Sequence, residues 1–249
     1  MKKTYFTTLL ILCCITLQAQ DAYTKTYTTN DVQEIKMKFE WGDLDVSFSD
    51  IEEVKITYDL TINGKRMIEA IDLSDIKKNG VLRLEGDLDF DEIEEQVTLI
   101  YHGNKKITMS KEEFNNRESS LEEWDMMNTG YNFDGQINIV LPKNKIVNLE
   151  TTYGNIELAF DGGKRRHDLS VQSTYGHVDM SIPASISTDL DLSSSYGEIY
   201  SDLNFEVSTN YTKRRDCQFG DHIKAVLNTK DQGSIALEAT YDNIYLRKI

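Results

Sequence analysis

The sequence predicts an all-β fold, a β-solenoid or β-helix-like stack of coils of about 22 residues with a short helix and an irregular acidic insertion. The first observation behind this is a phrase that recurs. Leu149-Glu150-Thr151-Thr152-Tyr153-Gly154-Asn155-Ile156 returns as Val171-Gln172-Ser173-Thr174-Tyr175-Gly176-His177-Val178, and then as Leu192-Ser193-Ser194-Ser195-Tyr196-Gly197-Glu198-Ile199. Weaker copies stand at Phe219-Gly220 and at Tyr241-Asp242-Asn243-Ile244. Counted at positions 154, 176, 197, 220 and 242, the steps are 22, 21, 23 and 22 residues. The second observation is the spacing of apolar residues, five before the glycine, two after it and usually four after, which is the period of a half-buried strand. The third is the glycine itself, which marks a corner that needs a positive φ or a close backbone approach.

Each copy therefore reads as strand, corner, strand. If copies stack at the ~4.8 Å strand spacing, Tyr153, Tyr175, Tyr196, Phe219 and Tyr241 form an aromatic ladder beside Gly154, Gly176, Gly197 and Gly220. Thr151, Ser173 and Ser194 form a hydroxyl ladder. Leu149, Val171 and Leu192 make one inward column, and Ile156, Val178, Ile199 and Ile244 another. Each buried side chain of this kind contributes roughly 1.5–3 kcal/mol, so the columns rather than any single coil hold the stack. For the aromatic ladder, packing over the corner is the first reading and a platform for glycan rings the second.

From the start of the chain, residues 1–19 read as a secretory signal peptide. Lys2 and Lys3 precede the apolar run Thr8–Leu17, and Gln18-Ala19-Gln20 supplies a cleavage site. A lipid anchor at Cys13 or Cys14 is the alternative, against which Leu12 stands where a lipobox has a small residue. Removing this segment changes the formal charge from −15 to −17 and leaves Cys217 as the one cysteine. So acidic a chain repels nucleic acid and anionic membrane surfaces. A single thiol makes no intramolecular disulfide, so the exported fold must rest on its core. No other long apolar run follows, so a transmembrane segment is not expected in the mature chain.

Residues 20–130 form an N-terminal β-rich part. Phe39-Glu40-Trp41-Gly42-Asp43-Leu44-Asp45-Val46 is a divergent copy of the phrase, with Trp41 where the tyrosines stand later. Val54–Leu60 and Val81–Glu85 read as strands. Met67, Ile68 and Ile71 share one helical face, which predicts a short helix over 64–71. The insertion, 87–130, is the most acidic stretch. Gln96–Tyr101 and Lys106–Met109 bracket His102-Gly103-Asn104 as a hairpin. Ser110 with Glu113 resembles a capping box, and Phe114, Leu121, Trp124 and Met127 would line a helix after it. Residues 131–249 are the regular repeat array, opened by Ile137–Pro142. Two loops rich in basic residues, 161–167 and 211–216, interrupt the array, and a terminal coil ending at Ile249 would expose an edge open to strand pairing.

On these residues the chain resembles the putative-adhesin, β-strand-repeat family of exported bacterial proteins, a domain of unassigned function. The resemblance rests on the signal peptide, Gly42-Asp43-Leu44-Asp45-Val46, the strand Ile137–Pro142, and the copies at Gly154, Gly176 and Gly197. It spans about residues 30–86 and 131–249. It implies a β-helical or solenoid-like fold, and it brings no catalytic residues.

Nothing in the sequence assembles a catalytic, cofactor or metal site. Glu157 and Asp179 fall on outward positions of equivalent strands, where a like-charged pair is more simply solvated than catalytic. His102, His167, His177 and His222 lack metal-ligand spacing, and no calcium loop, nucleophile elbow or phosphate-cradling loop occurs. The expected function is a non-catalytic exported binding, adhesin-like or scaffold domain of the periplasm or cell surface, with a glycan or envelope protein as candidate partner. Two alternatives stand beside it, a periplasmic accessory in envelope-stress signalling and a polysaccharide-active β-helix enzyme.

Overall fold

The computed structural model describes residues 23–101, 105–116, 124–161, 167–208, 220–229 and 233–249. The readings made on residues 1–19, on the turn 102–104, on the basic stretches 164–166 and 211–216, and on Cys217 and Phe219 lie outside these residues. Within them the chain is all-β, with two nine-stranded sheets, a separate three-stranded sheet and one short α-helix.

Five coils each contribute one strand to either large sheet. In chain order they are Glu34–Trp41 with Asp43–Ser49, Ile146–Tyr153 with Ile156–Ala159, His167–Ser173 with Val178–Ile182, Thr188–Ser194 with Ile199–Ser201, and Gly233–Ala239 with Ile244–Lys248. Alternation puts one face of each strand inside. Ile35, Met37, Leu149, Val171, Leu237 and Leu192 from one sheet share a core with Leu44, Ile156, Val178 and Ile244 from the other. Neighbouring strands of successive coils are parallel and in register: Met37 pairs with Leu149, Leu149 with Val171, and Ile156 with both Leu44 and Val178.

The order of the coils corrects the expectation of a serial stack. The fifth coil lies between the third and fourth: Val171 and Leu192 both pair with Leu237, and Val178 and Ile199 both pair with Ile244. Ile249 therefore does not end the stack, and its backbone N–H donates to the Ile182 carbonyl at 3.1 Å. The physical reason is that the columns are interchangeable. Val171, Leu192 and Leu237 present apolar side chains in the same phase, so any of them satisfies a neighbour's register.

Gly220 also departs from expectation. The strand after it, His222–Leu227, lies in the same sheet as Thr188–Ser194 and runs antiparallel to it, so this copy builds no corner of the repeat. The segment predicted as a helix over 64–71 is a single 3-10 turn, Ile68–Ala70, after which Ile71–Lys78 is a strand. The helix begun at Ser110 keeps its capping box but stops at Asn115. Trp124–Gly130, placed on that helix by the apolar spacing, is instead a strand that pairs with Gln96–Tyr101, Met127 opposite Leu99.

Beside the first coil each sheet adds one more parallel strand and then turns antiparallel to its edge. One sheet continues through Phe133–Pro142 and Glu53–Ile62 to the edge strand Tyr23–Thr28, and the other through Val81–Leu88 to the edge strand Ile71–Lys78. Two lysines tie these edges together. The Lys25 ammonium donates to the Leu73 carbonyl at 3.2 Å, and the Lys77 ammonium donates to the Thr28 carbonyl at 3.3 Å while pairing with Asp31. Lysines placed so occupy carbonyls that an added strand would need.

Candidate functional site

The feature that sets this surface apart is the corner where each coil passes from one sheet to the other. At Gly154, Gly176 and Gly197 a Cβ would fall inside the carbonyl oxygen of the adjacent corner, that of Gly42, Gly154 and Asp242 respectively. None of the three has a positive φ, so close approach and not backbone freedom demands glycine there. At Gly42 both conditions hold, with φ +109° and a Cβ position 3.1 Å from Ile137 Cδ1.

Such tight stacking aligns everything beside it. The Tyr175 N–H donates to the Thr152 carbonyl at 2.9 Å, Tyr241 to Thr174 at 3.0 Å, and Tyr196 to Thr240 at 3.0 Å. Behind these residues, buried Ser173 donates to the Gly154 carbonyl at 2.9 Å, and buried Ser194 donates to the Asp242 carbonyl at 3.0 Å. Beyond the glycine, the Asn155 N–H donates to Asp43 and the His177 N–H to the Asn155 side-chain oxygen at 3.1 Å. His177 has no such oxygen to offer the coil above. There Asp242 replaces the repeat glycine, and its carboxylate accepts the Asn243 N–H at 2.7 Å. Asn243 resumes the series by accepting the Glu198 N–H at 2.8 Å.

The aromatic residues follow the coils. Trp41 stacks on Tyr153 with ring centroids 4.4 Å apart, Tyr153 on Tyr175 at 4.9 Å, Tyr175 on Tyr241 at 4.8 Å, and Tyr241 on Tyr196 at 5.0 Å. The structure thus brings Tyr153, Tyr175, Tyr196 and Tyr241 together, but with Tyr241 between Tyr175 and Tyr196. Interplanar angles of 3–6° between the tyrosines mean that their faces are spent on one another. Their edges are open: Tyr153, Tyr175, Tyr241 and Tyr196 are 41%, 52%, 51% and 59% exposed. Trp41 is fixed from its other side by Phe133 at 5.2 Å.

Other polar clusters are smaller. Glu157 and Asp179 are adjacent as expected, and Asp179 is neutralised by Arg247, whose Nε lies 2.8 Å from both carboxylate oxygens. Arg247 also covers Tyr245, which stacks on Tyr200 at 5.4 Å. On the opposite sheet, buried His222 and exposed Lys224 both meet Asp191, at 2.6 and 3.1 Å. Burial pushes the Asp191 carboxyl up, but hydrogen bonds from His222 and Lys224 outweigh it and leave the group below the usual carboxylate range. Of the other histidines, His177 lies at the corner, its ring meeting that of Tyr245 edge-on at 5.8 Å. Among the described residues no three His, Cys, Asp or Glu side chains form a metal-binding group. The apolar cleft between Phe39, Trp41, Tyr58, Gly86 and Gly135 has a volume of about 20 Å³, room for about one water molecule. Sequence reasoning missed the Asp191–His222–Lys224 cluster, because it depends on an antiparallel strand that the repeat pattern does not announce.

A model of the family described as Toastrack DUF4097 matches residues 17–238. No curated protein matches the sequence. Solved structures similar to this chain include a putative cell adhesion protein from Clostridium sporogenes ATCC 15579, at 13% identity and TM-score 0.48, covering 92% of this chain and 100% of that one. They also include a putative adhesin from Parabacteroides merdae ATCC 43184, at 12% identity and TM-score 0.24, covering 74% and 61%. A putative adhesin from Bacteroides fragilis NCTC 9343 is similar at 9% identity and TM-score 0.21, covering 92% and 98%. Among the described residues no helix is long and apolar enough to cross a membrane.

Proposed function

The chain belongs to the Toastrack DUF4097 family, and from that premise we propose that it is a non-catalytic exported domain, a β-solenoid of paired strands that serves as a rigid binding scaffold at the cell envelope. The observation that carries this reading is the corner ribbon. Four tyrosines stand at near-constant spacing with 41–59% of their surface open, on backbone locked by hydrogen bonds from coil to coil. A surface held this stiffly costs little to order on binding. Catalysis is left out because Asp179 and Asp191, the acids at the centres of the polar clusters, are each paired with a cation. The export part rests on residues 1–19.

Cell fractionation with protease shaving, followed by pull-down on washed envelope material, tests the proposal. The chain is expected in the envelope fraction and retained by that material. A cytoplasmic chain with no retention on any envelope fraction would overturn it.

A further inference from the structure

We infer that the tyrosine row binds an extended, uncharged, β-linked polysaccharide lying along the stack, with one sugar opposite each coil. This rests on the binding role proposed above and names the ligand class for the same ribbon.

Four features of the corner point to that ligand. First, the tyrosine faces are stacked on each other within 3–6° of parallel, so a ring cannot be laid flat on them. What the row presents outward is ring edge and hydroxyl. Among the described residues none is hydrogen-bonded to the hydroxyl of Tyr153, Tyr175 or Tyr241. Second, half-buried Thr152, Thr174, Thr240 and Ser195 precede the four tyrosines, so each coil brings a second hydroxyl-bearing residue to the corner. Hydroxyls both donate and accept, and so match a ligand whose own surface is hydroxyl.

Third, the ring spacing is 4.9, 4.8 and 5.0 Å along the row. A β-1,4-linked hexose chain in its extended two-fold form advances by about one strand spacing per sugar, alternate sugars being turned over, whereas an extended peptide advances ~3.4 Å per residue. The sugar chain keeps in step over four coils, and the peptide loses register after the second. Fourth, both rows are uncharged on a chain of net charge −15. A polyanion is repelled by the body of the protein, and a neutral glycan is not.

The test uses the full chain and four insoluble or immobilised probes: cellulose and chitin as β-1,4-linked polymers, starch as the α-linked control of geometry, and polylysine as the control of charge. Its partner is the triple variant Tyr153→Phe/Tyr175→Phe/Tyr241→Phe, which keeps the stacked rings and removes only hydroxyls, so an unchanged melting temperature is expected. Retention of the wild-type chain on cellulose or chitin, weakened about tenfold or more in the triple variant (about 1.4 kcal/mol or more), supports the inference. Equal retention of wild type and variant, or retention by starch or polylysine alone, overturns it. If the chain holds to washed envelope material but to none of the glycans, the ligand class falls and the binding role stands. If it holds to neither, both fall.

Discussion

The indole of Trp41 lies flat on the phenol of Tyr153, with centroids 4.4 Å apart and planes 16° from parallel. The contact adds a ring stack to the strand pairing that joins the divergent first coil to the regular array. Trp41→Ala removes it together with the stack on Phe133 and the edge contact with Phe90. A loss of about 2–4 kcal/mol is expected in urea unfolding, with Trp41→Phe recovering much of it. A loss below about 0.5 kcal/mol would mean that the first coil is held by its strands alone.

Gly176→Ala places a methyl group inside the Gly154 carbonyl oxygen. The backbone of two coils must separate to admit it, so a cost of roughly 2–4 kcal/mol is expected. Thr174→Ala, two residues away on the surface, is expected to stay within about 1 kcal/mol. Thermal melts of the two variants side by side check the contrast.

Two buried hydroxyls of the inner ladder should respond in opposite directions. Ser173 donates to the Gly154 carbonyl, so Ser173→Ala should cost about 1 kcal/mol. Thr151 is 3% exposed, and among the described residues its hydroxyl has no hydrogen-bond partner. Thr151→Val, of the same shape, should be neutral or stabilising by up to about 1 kcal/mol. Chemical denaturation resolves both, and a clear loss in Thr151→Val would reveal an unrecognised bond.

Asp191 predicts how stability depends on pH. Hydrogen bonds from His222 and Lys224 hold its carboxyl below the usual range despite burial. A group depressed in the folded state stabilises it above the ordinary aspartate pKa, and that stability is lost as pH falls through the folded value. The acid limb, below about pH 4, should therefore steepen because of this residue. Asp191→Asn should flatten that limb while lowering stability at neutral pH, as measured by melting temperature between pH 2 and 8.

The lysine ties across the first-coil end predict a local effect. Lys25→Ala/Lys77→Ala frees the Leu73 and Thr28 carbonyls. Amide exchange in Tyr23–Thr28 and Ile71–Lys78 should quicken, and light scattering should show self-association at high concentration. Unchanged exchange in both strands would show that the edges are closed by other means.

Within a coil the sequence was legible, because alternation and a sterically required glycine fix which residues face inward and where the chain turns. Trp41-Gly42 could be aligned with Tyr153-Gly154 on those grounds, and the two corners do adjoin. Between coils it was not. Nothing distinguishes Leu237 from Leu192 as the neighbour of Val171, since both are apolar, in phase and in a parallel strand. Gly220 misled for a related reason, in that a glycine beside an aromatic residue marks close approach without giving the direction of the next strand. Trp124–Gly130 carried spacing compatible with a helix, yet the open side of Gln96–Tyr101 offered it backbone partners. In the candidate site, the tyrosines were legible as a set, whereas their edge-on presentation depends on the rings stacking face to face.

The placement of the fifth coil makes residues 233–248 a keystone. Residues 233–248 separate Val171 from Leu192 and Val178 from Ile199, so the fifth coil in sequence must enter between two coils that precede it. Until it emerges from the ribosome, Thr188–Ser194 and Ile199–Ser201 lack the parallel neighbours on which they finally rest, and the third coil has a bare side. Contacts of such long sequence separation form slowly. Removing residues 233–249 would not shorten the stack by one layer but would split it at an internal seam.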